Sequence, residues 1–283
     1  MKNEPETERW IEAGRLPLTQ QLRELTEYRE LIVTMAKKNF AIRYKQTVLG
    51  AAWAFLRPLI TALVLVLAFG RILRLPSDGL PGLLFYLCNT AVWSFFAETV
   101  RVNAKTFLSN AALFGKVYFP RLVMPLSDLL FDLVTFGIQI LMVLLFLAVY
   151  LLRGEVHVSP LWWPLLIPLS LQIGLLGMST GIIVSSLTTR YRDLVMLVEF
   201  AIQLWMYLTP VVYPLSNIEN GAMRILLLLN PMTMPMECFR RILLGKGTLS
   251  GPGIVWSAAF TVLAAAAALR LFTRVERTFM DTV

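Results

Sequence analysis

LITALVLVLAFG, residues 59–70, is the stretch that decides the class of this chain of 283 residues. With the flanking residues 51–57 and 71–73 it is long enough to cross a bilayer, because a helix needs about 20 mostly apolar residues to pass a hydrocarbon core of roughly 30 Å. Five more apolar runs follow, at residues 83–100, 122–152, 161–187, 194–213 and 254–273. Since a helix satisfies its own backbone hydrogen bonds inside lipid, the sequence predicts an all-α polytopic membrane protein with six transmembrane helices.

The composition agrees with a membrane protein. Hydrophobic residues make up 57% of the chain, charged residues only 16%, and the mean hydropathy is +0.66. These values lie far from those of a soluble domain. A formal net charge of +8 would suit nucleic acid in a polar protein, but in so apolar a chain it indicates cationic flanks that face anionic lipid. We therefore expect membrane lipids, and no nucleic acid, among the partners.

The positive charges predict the orientation in the membrane. If the N-terminus is cytoplasmic and six helices span, a minority of the 26 Lys and Arg residues fall outside. Those are Arg71, Arg74, Arg153, Arg224, Arg240, Arg241 and Lys246. The cationic excess on the other side predicts that both termini are cytoplasmic. We therefore divide the chain into a cytoplasmic arm (1–50), a transmembrane domain (51–275) and a cytoplasmic tail (276–283).

The arm contains a predicted amphipathic helix. Leu22, Leu25, Tyr28, Ile32 and Met35 recur at helical spacing, with charged residues between them. The pattern is typical of a helix that lies along the cytoplasmic interface of the membrane. A helix docked on a partner subunit would show the same pattern.

Residues 214–251 predict an interrupted element on the outer side. Short apolar pieces alternate there with Pro, Gly and Asn, and each piece is too short to span the bilayer. Such segments suit re-entrant helices, which are tolerated only where protein or a wet cavity covers the backbone. A helical hairpin at the surface would explain the pattern equally well.

Polar side chains form three stripes on the predicted spans. Because polar groups are costly when they face lipid, each stripe is expected to face the helix bundle or an aqueous path. The stripes are Asp128, Asp132, Thr135 and Gln139 on the third span, Tyr86, Asn89, Trp93 and Phe96 on the second, and Glu199, Gln203 and Tyr207 on the fifth. The aromatic and amide stripe suits sliding contact with sugar rings, whereas pairing between helices would also explain these groups.

Small residues on the fourth span predict close helix packing. Gly174, Gly177, Gly181 and Ser185 recur at helical spacing. A face without large side chains allows a neighbouring helix to approach closely. We expect a structural role for this face and no ligand.

No motif for chemistry is present in the sequence. The nucleotide-binding pattern G-x-x-x-x-G-K-[ST] is missing, since the strings around Lys116 and Lys246 lack its glycine frame and its hydroxyl. The single histidine, His157, excludes a histidine-based zinc cluster, and Cys88 and Cys238 have no metal-binding spacing. The sequence predicts no catalytic residue, no metal and no cofactor on this chain, so that another subunit or an ion gradient must supply energy for transport.

Four segments resemble the membrane subunits of type-2 ABC exporters of polysaccharide. They are residues 43–50 (RYKQTVLG) with Trp53 and 56–59 (LRPL), residues 110–113 (NAAL) with 116–121 (KVYFPR), residues 189–193 (TRYRD), and residues 229–232 (LNPM) with Phe239, Arg240 and Gly245. They are similar, in this order, to the start of the first span, the cytoplasmic gate and coupling segment, the second cytoplasmic turn and the outer re-entrant gate of that family. The resemblance covers nearly the whole chain and is closest to O-antigen exporters, with capsule and teichoic-acid exporters as the alternative.

The resemblance implies an assembly and a substrate. It implies a homodimer of six-span subunits with two copies of a separate cytoplasmic ATPase, which binds the ATP and Mg. The implied substrate is a polysaccharide on an undecaprenyl diphosphate lipid, moved across the bacterial inner membrane to the periplasmic leaflet. The missing nucleotide-binding motif agrees with this picture.

Four sets of site residues follow from the stripes and the resemblance. The translocation path is expected to include Tyr86, Asn89, Trp93, Phe96, Asp132 and Gln139. Arg43, Lys45 and Arg57 are expected to attract the lipid diphosphate, although ordinary anchoring at the inner surface would also place cations there. ATPase coupling is assigned to Asn110, Leu113, Lys116, Arg190, Tyr191, Arg192 and Asp193, and the outer gate to Asn230, Pro231, Phe239 and Arg240.

Asp193 is given a second predicted role. It stands immediately before the predicted helix that begins at Leu194. A carboxylate at this position can accept hydrogen bonds from the free N–H groups of the first helical turn. We therefore expect Asp193 to cap that helix.

Two rival hypotheses come from other classes of protein. One is an ion-coupled secondary transporter with Asp128, Asp132 and Glu199 as a proton relay. Against it, the sequence shows no paired halves with matching interrupted helices. The other is a membrane scaffold in which the polar stripes only hold helices together. Capture of a soluble ATPase, with ATP hydrolysis only in its presence, separates the three.

Overall fold

The computed structural model describes residues 25–45, 47–50, 52–114, 119–188 and 193–279. Within these ranges every regular element is a helix and none is a strand, which confirms the predicted all-α class. The helices are α1 (Arg29–Tyr44), α2 (Ala52–Leu65), α3 (Gly82–Asn103), α4 (Thr106–Phe114), α5 (Val123–Leu152), α6 (Leu166–Thr188), α7 (Leu194–Tyr207), α8 (Gly221–Leu229), α9 (Thr233–Leu244) and α10 (Gly251–Phe279). A π-helical segment, Val66–Ile72, continues α2, and the 3₁₀ turns Pro160–Leu165 and Leu215–Asn217 precede α6 and α8.

Five helical segments in the described part are long and apolar enough to cross a membrane. They are Ala52–Ile72, Gly82–Asn103, Val123–Leu152, Pro160–Thr188 and Gly251–Val275. The fifth predicted span is different, because α7 has only 14 residues, or about 21 Å at 1.5 Å per residue. Pro210 disfavours helix at Thr209, and the chain runs through turns at residues 208–213. The count of six complete spans therefore stays a prediction.

The second span, α3, forms the centre of the molecule. It packs against α2, α5, α6, α7 and α9, and most of its side chains are buried. Phe95 stacks on Phe136 of α5 with ring centroids 4.6 Å apart. Phe136 in turn meets Phe239 of α9 edge-on at 5.6 Å. These aromatic contacts join α3 and α5, the second and third spans, to the short helix α9.

The glycine face of α6 packs directly on α3, as the sequence predicts. A Cβ atom on Gly181 would lie 2.5 Å from the Cβ of Asn103 and 2.7 Å from the carbonyl oxygen of Val100. A Cβ on Gly177 would lie 3.1 Å from the carbonyl oxygen of Phe96. At Gly181 a side chain would force the helices apart, and at Gly177 it would need a small shift of its neighbours, so the predicted packing role is confirmed.

The predicted arm helix is present as α1 and docks on its own chain. Ile32 and Met35 of α1, together with Tyr28 just before it, pack on a cluster of buried phenylalanines and leucines. The buried members include Leu25, Phe107, Phe114, Phe119 and Phe272, which we call the phenylalanine cluster. It joins α1 and α4 to the ends of α5, α6 and α10. Leu22, the first residue of the predicted pattern, lies outside the described residues.

The interrupted segment folds as two short helices, α8 and α9. Asn220 caps α8, since its side chain accepts hydrogen bonds from the backbone N–H groups of Ala222 (3.0 Å) and Met223 (3.3 Å). Gly245 ends α9 in a left-handed conformation with φ 75°. With 9 and 12 residues, neither helix can span a bilayer. Most of α9 is buried against other helices, the condition under which re-entrant backbone is tolerated.

Candidate functional site

A cavity of about 610 Å³ lies between α1, α2, α3, α5 and α7. Three arginines from three different helices reach it, and we call it the arginine cavity. Its cationic and aromatic lining includes Arg43, Arg57, Arg101, Trp53, Trp93 and Phe136. Its remaining polar lining includes Glu98, Asp132, Thr135, Gln139 and Gln203. The cavity is therefore charged, amphipathic and large enough for a small ligand or part of a large one.

The polar stripe of α5 forms one wall of the arginine cavity. Asp132, Thr135 and Gln139 line it together, as their helical spacing predicts. Asp128 lies one turn earlier, where its Oδ1 accepts a hydrogen bond of 2.6 Å from the amide of Asn39 on α1. Asp132 and Gln139 are buried. Within the described residues, Asp132 Oδ2 and Gln139 Oε1 have no hydrogen-bond partner.

A network of ion pairs lies beside the arginine cavity. Glu98 of α3 accepts from Arg43 of α1 at 2.8 Å and also from Arg101, one turn along α3. Arg101 reaches on to Glu199 of α7 at 2.7 Å, and Lys105 meets the same carboxylate at 3.1 Å. Three helices thus meet through alternating charges.

Two of the three cations predicted to bind a diphosphate line this cavity. They are Arg43 and Arg57, while Lys45 is exposed and lies outside the lining. The guanidinium carbon of Arg43 also lies 4.7 Å from the centre of the Phe131 ring. This contact is a cation–π interaction that holds the side chain over α5.

The aromatic and amide stripe of α3 does not form one surface. Trp93 lines the arginine cavity, but Tyr86, Asn89 and Phe96 are fully buried inside the chain. The amide of Asn89 donates to the carbonyl oxygen of Val211 at 2.9 Å. These three side chains hold the turn after α7 and α7 itself against α3, as the packing alternative requires.

Phe96 and Tyr86 make the corresponding contacts to α7 and its turn. Phe96 meets Trp205 of α7 edge-on at 5.0 Å. The Tyr86 hydroxyl donates to the carbonyl oxygen of Val212 at 3.4 Å. A place of Tyr86, Asn89 and Phe96 on a transport path stays a prediction.

Asn230, at the turn between α8 and α9, joins three parts of the chain. Its Oδ1 accepts from the indole N–H of Trp205 and from the backbone N–H of Met232, both at 3.0 Å. Its amide donates to the carbonyl oxygen of Leu208 at 2.8 Å and to the Thr209 hydroxyl at 2.9 Å. All its polar atoms are therefore in use, and the end of α7 is tied to the start of α9.

Pro231 and Phe239 belong to the same predicted gate. The carbonyl oxygen of Pro231 accepts a 2.6 Å hydrogen bond from the Ser257 hydroxyl of α10. Phe239 is buried and packs on Phe136. Both residues fix the hairpin to the span helices, and their part in a gate stays a prediction.

Arg240 is fully buried and pairs with two carboxylates. Its Nη2 lies 2.6 Å from Glu237 Oε1 and 3.5 Å from Asp78 Oδ2, and its guanidinium lies over the Phe85 ring at 4.9 Å. Glu237 also accepts from the backbone N–H groups of Leu215 (3.3 Å) and Thr248 (2.7 Å). We call Asp78, Phe85, Glu237 and Arg240 the Arg240 cluster. It joins α9 to the loop of Asp78 and to the start of α3, and through Glu237 to residues 215 and 248.

The coupling residues are only partly in the described chain. Lys116, Arg190, Tyr191 and Arg192 lie outside it. Asn110 donates to the carbonyl oxygen of Thr106 on its own helix at 2.9 Å. Leu113 is half-buried and packs against the phenylalanine cluster. The exposed residues of α4 are instead Ser109 and Ala112.

The prediction that Asp193 caps α7 is wrong. Asp193 directly precedes Leu194, but its side chain makes no capping hydrogen bond to the described helix. Its backbone has φ −67° and ψ −23°, which is helical. A capping side chain needs an extended backbone to reach over the helix end, so Asp193 is placed too far into the helix to act.

Glu98, Arg101 and Asp78 are charged residues of these sites that sequence reasoning missed. Glu98 and Arg101 stand near the end of a predicted span, where two opposite charges one turn apart were a visible signal. Asp78 lies in a loop far from Arg240 in the sequence. No local pattern joins those two residues.

Comparison with known proteins decides the family. Residues 30–244 match the family described as ABC-2 type transporter. The chain belongs to the ABC-2 type transporter family. It is therefore a multi-pass membrane transporter subunit, and the predicted resemblance to type-2 exporters is confirmed.

Three relatives of this transporter carry the same name. It is 29% identical over 264 residues to the O-antigen export system permease protein RfbA of Myxococcus xanthus, covering 93% of this chain and 98% of that one. It is 32% identical over 184 residues to a protein of the same name from Klebsiella pneumoniae, covering 65% of this chain and 69% of the relative. A second Klebsiella pneumoniae protein of that name is 28% identical over 221 residues, covering 78% and 82%.

Proposed function

We propose that this transporter subunit exports a lipid-linked polysaccharide of the O-antigen type across the bacterial inner membrane, with both termini in the cytoplasm. The names of its relatives support the substrate class. The observation that carries the proposal is the arginine cavity, in which unpartnered acceptors lie beside an aromatic side chain and a set of arginines. A cavity of this kind offers contacts for both parts of a glycolipid.

The arginines suit the lipid headgroup. A guanidinium binds phosphate through parallel, charge-assisted hydrogen bonds. Arg43 and Arg57 reach the cavity from α1 and α2, with the exposed Lys45 close by in the chain. In the proposed function these residues attract the undecaprenyl diphosphate to the cavity from the cytoplasmic side.

A second part of the lining suits sugars. Sugar hydroxyls are donors, and Asp132 Oδ2 and Gln139 Oε1 are buried acceptors without a partner in the described residues. Trp93 is mostly buried, and the accessible part of its ring adds an apolar contact for a sugar ring. Such contacts are individually weak and tolerate varied rings, and a polymer that must move along a path requires both properties.

Energy for export is proposed to come from two copies of a separate ATPase on a homodimer of this chain. The sequence has no nucleotide-binding motif of its own. We place the ATPase contact on the exposed side of α4, at Ser109 and Ala112. Leu113 supports that helix from the phenylalanine cluster, so Leu113→Asp would disturb folding together with docking.

The ATPase contact has a direct test. Ala112→Arg should abolish capture of the ATPase and ATP-driven export while the subunit keeps its thermal stability. Ser109→Thr, a conservative change on the same exposed side, should keep both functions. Normal coupled export by the Ala112→Arg variant would place the contact elsewhere.

The substrate class is tested in cells. Deletion of the gene should remove the surface polysaccharide and cause lipid-linked glycan to accumulate inside, and the wild-type gene should restore both. Restoration by a Gln139→Leu variant should be incomplete, because one acceptor of the arginine cavity is lost. Unchanged surface and lipid-linked glycans after deletion would exclude the proposed function.

A further inference from the structure

We propose that Glu98 occupies the anion position of the headgroup site and that a substrate diphosphate enters by displacing it from Arg43. The inference rests on the proposed function, because it concerns the same cavity. It makes Glu98 a residue that determines which anions are accepted. A weakly charged headgroup would leave Glu98 in place, whereas a diphosphate would exchange with it.

The geometry around Glu98 is that of an occupied anion site. One oxygen of its carboxylate lies 2.8 Å from Arg43 on α1, and the other is bonded by Arg101 on α3. Two guanidinium groups from two helices thus converge on a single anion. A phosphate offers the same acceptors in greater number and carries more charge than a carboxylate, so it can replace Glu98 on Arg43.

The pair of Arg43 and Glu98 is suited to exchange. The side chains are 38% and 25% exposed, and ion pairs that reach solvent contribute little to stability. Arg43 also keeps its contact with the Phe131 ring, which does not depend on Glu98. The guanidinium can therefore turn from Glu98 toward a ligand without leaving α5.

The rest of the network does not have to open. Arg101 is held independently by Glu199 of α7 at 2.7 Å, and Lys105 supports that carboxylate at 3.1 Å. When Glu98 leaves Arg43, the contact between α3 and α7 persists and only the contact between α1 and α3 is released. Glu199 therefore supplies a matched control: it is a carboxylate in the same network that the proposal leaves in place.

The binding test uses the full chain in lipid nanodiscs with three probes, farnesyl diphosphate, farnesyl monophosphate and inorganic pyrophosphate. Calorimetric affinities are compared for the wild type, Glu98→Gln and Glu199→Gln. Glu98→Gln should bind farnesyl diphosphate roughly threefold to fivefold more tightly, the range set by one partly exposed ion pair. It should also lose part of the preference for diphosphate over monophosphate. Glu199→Gln should bind as the wild type does.

The outcomes separate this proposal from the proposed function. Equal binding of farnesyl diphosphate by wild type and Glu98→Gln, or an equal gain in Glu199→Gln, overturns the displacement and leaves the headgroup site intact. Binding of pyrophosphate alone, tighter in Glu98→Gln, supports displacement by a free anion and rejects the lipid substrate. No binding of any probe by a folded wild type rejects both.

Folding of the variants is controlled in two ways. Thermal unfolding of Glu98→Gln identifies a loss of affinity that comes from damage to the helix packing. Glu98→Asp keeps the charge but shortens the side chain, so it should weaken the pair with Arg43 and give an affinity between those of the wild type and Glu98→Gln. A Glu98→Asp variant with an affinity outside that interval would contradict the proposal.

Discussion

The two ends of α3 hold arginines in opposite surroundings. At its start, Arg240 of α9 is fully buried between two carboxylates and the Phe85 ring. Near its end, Arg43 and Arg101 share a partly exposed carboxylate at the edge of a cavity. A buried pair that loses one partner leaves an uncompensated charge, whereas a partly exposed pair can exchange with water or ligand. Pairs of arginine and carboxylate therefore stabilise the fold at the start of α3, and near its end they can exchange with a ligand.

The largest expected effect comes from the Arg240 cluster. Arg240→Ala should lower the free energy of unfolding by about 3–5 kcal/mol, because Glu237 is left buried without its counter-ion. Thermal unfolding of purified protein measures the loss. Arg241→Ala is the control, since Arg241 is exposed and bonds only the carbonyl oxygen of Gly245 among the described residues. Equal stability of the two variants would show that the buried ion pair of Arg240 contributes no more than an exposed arginine does.

A smaller loss is expected where α6 packs on the cavity end of α3. Gly181→Ala should lower the free energy of unfolding by about 1–3 kcal/mol, because the added Cβ would lie 2.5 Å from the Cβ of Asn103. Gly137→Ala on α5 is the matched control, because a Cβ there meets nothing within 4 Å. Because alanine favours helix over glycine, Gly137→Ala should instead raise the free energy of unfolding by about 0.5–1 kcal/mol. If Gly181→Ala left the free energy of unfolding unchanged, α3 and α6 would have to move apart without loss of stability.

Gln139→Leu should separate stability from transport. Removal of a buried oxygen without a partner should raise the free energy of unfolding by about 1 kcal/mol while export slows. Gln172→Leu is the control, because Gln172 donates to the Ser257 hydroxyl at 3.0 Å and its loss should destabilise by a similar amount. If Gln139→Leu lost stability and kept full export, its oxygen would have a structural partner and no ligand role.

The smallest effect concerns the reaction of maleimide with cysteine side chains near the two ends of α3. Burial raises the pKa of the Cys238 thiol, next to Glu237, to about 11, so at pH 7 almost no thiolate forms and maleimide should not label it. Raising the pH toward that pKa should increase labelling. A Gln203→Cys variant should react at pH 7, because residue 203 is exposed and lines the arginine cavity. Because Cys88 is a second buried free thiol, the labelled residue is identified by peptide mass analysis, and rapid labelling of Cys238 at pH 7 would show that the packing around the Arg240 cluster opens.

The fold was more predictable than the partners of the side chains. Long apolar runs and the glycine face of α6 depend on local composition, and the sequence predicts both. The stripe of Tyr86, Asn89, Trp93 and Phe96 divides between core and cavity, because one helical face can be covered by different neighbours along its length. Helical spacing identifies the face but not what covers it.

Contacts between distant residues account for the rest. Arg240 was predicted as a gate residue from resemblance, while its partner Asp78 lies in the first loop, too far along the chain for any local pattern. Arg43 was expected to attract the lipid diphosphate, and its pairing with Glu98 of another helix is a contact that no local pattern indicates. The prediction that Asp193 caps α7 was wrong because its ψ angle is helical, and residue type does not determine that angle.

The hydrogen bonds of Asn230 have a mechanical consequence. They fasten the C-terminal end of α7 to the start of α9, while Glu199, in the N-terminal half of α7, pairs with Arg101. A short helix held at two points along its length moves as one body, so a rotation produced near the arginines would turn α8 and α9 in step. The side chains around the arginine cavity and the turn at Asn230 would then move together through a single helix of 14 residues.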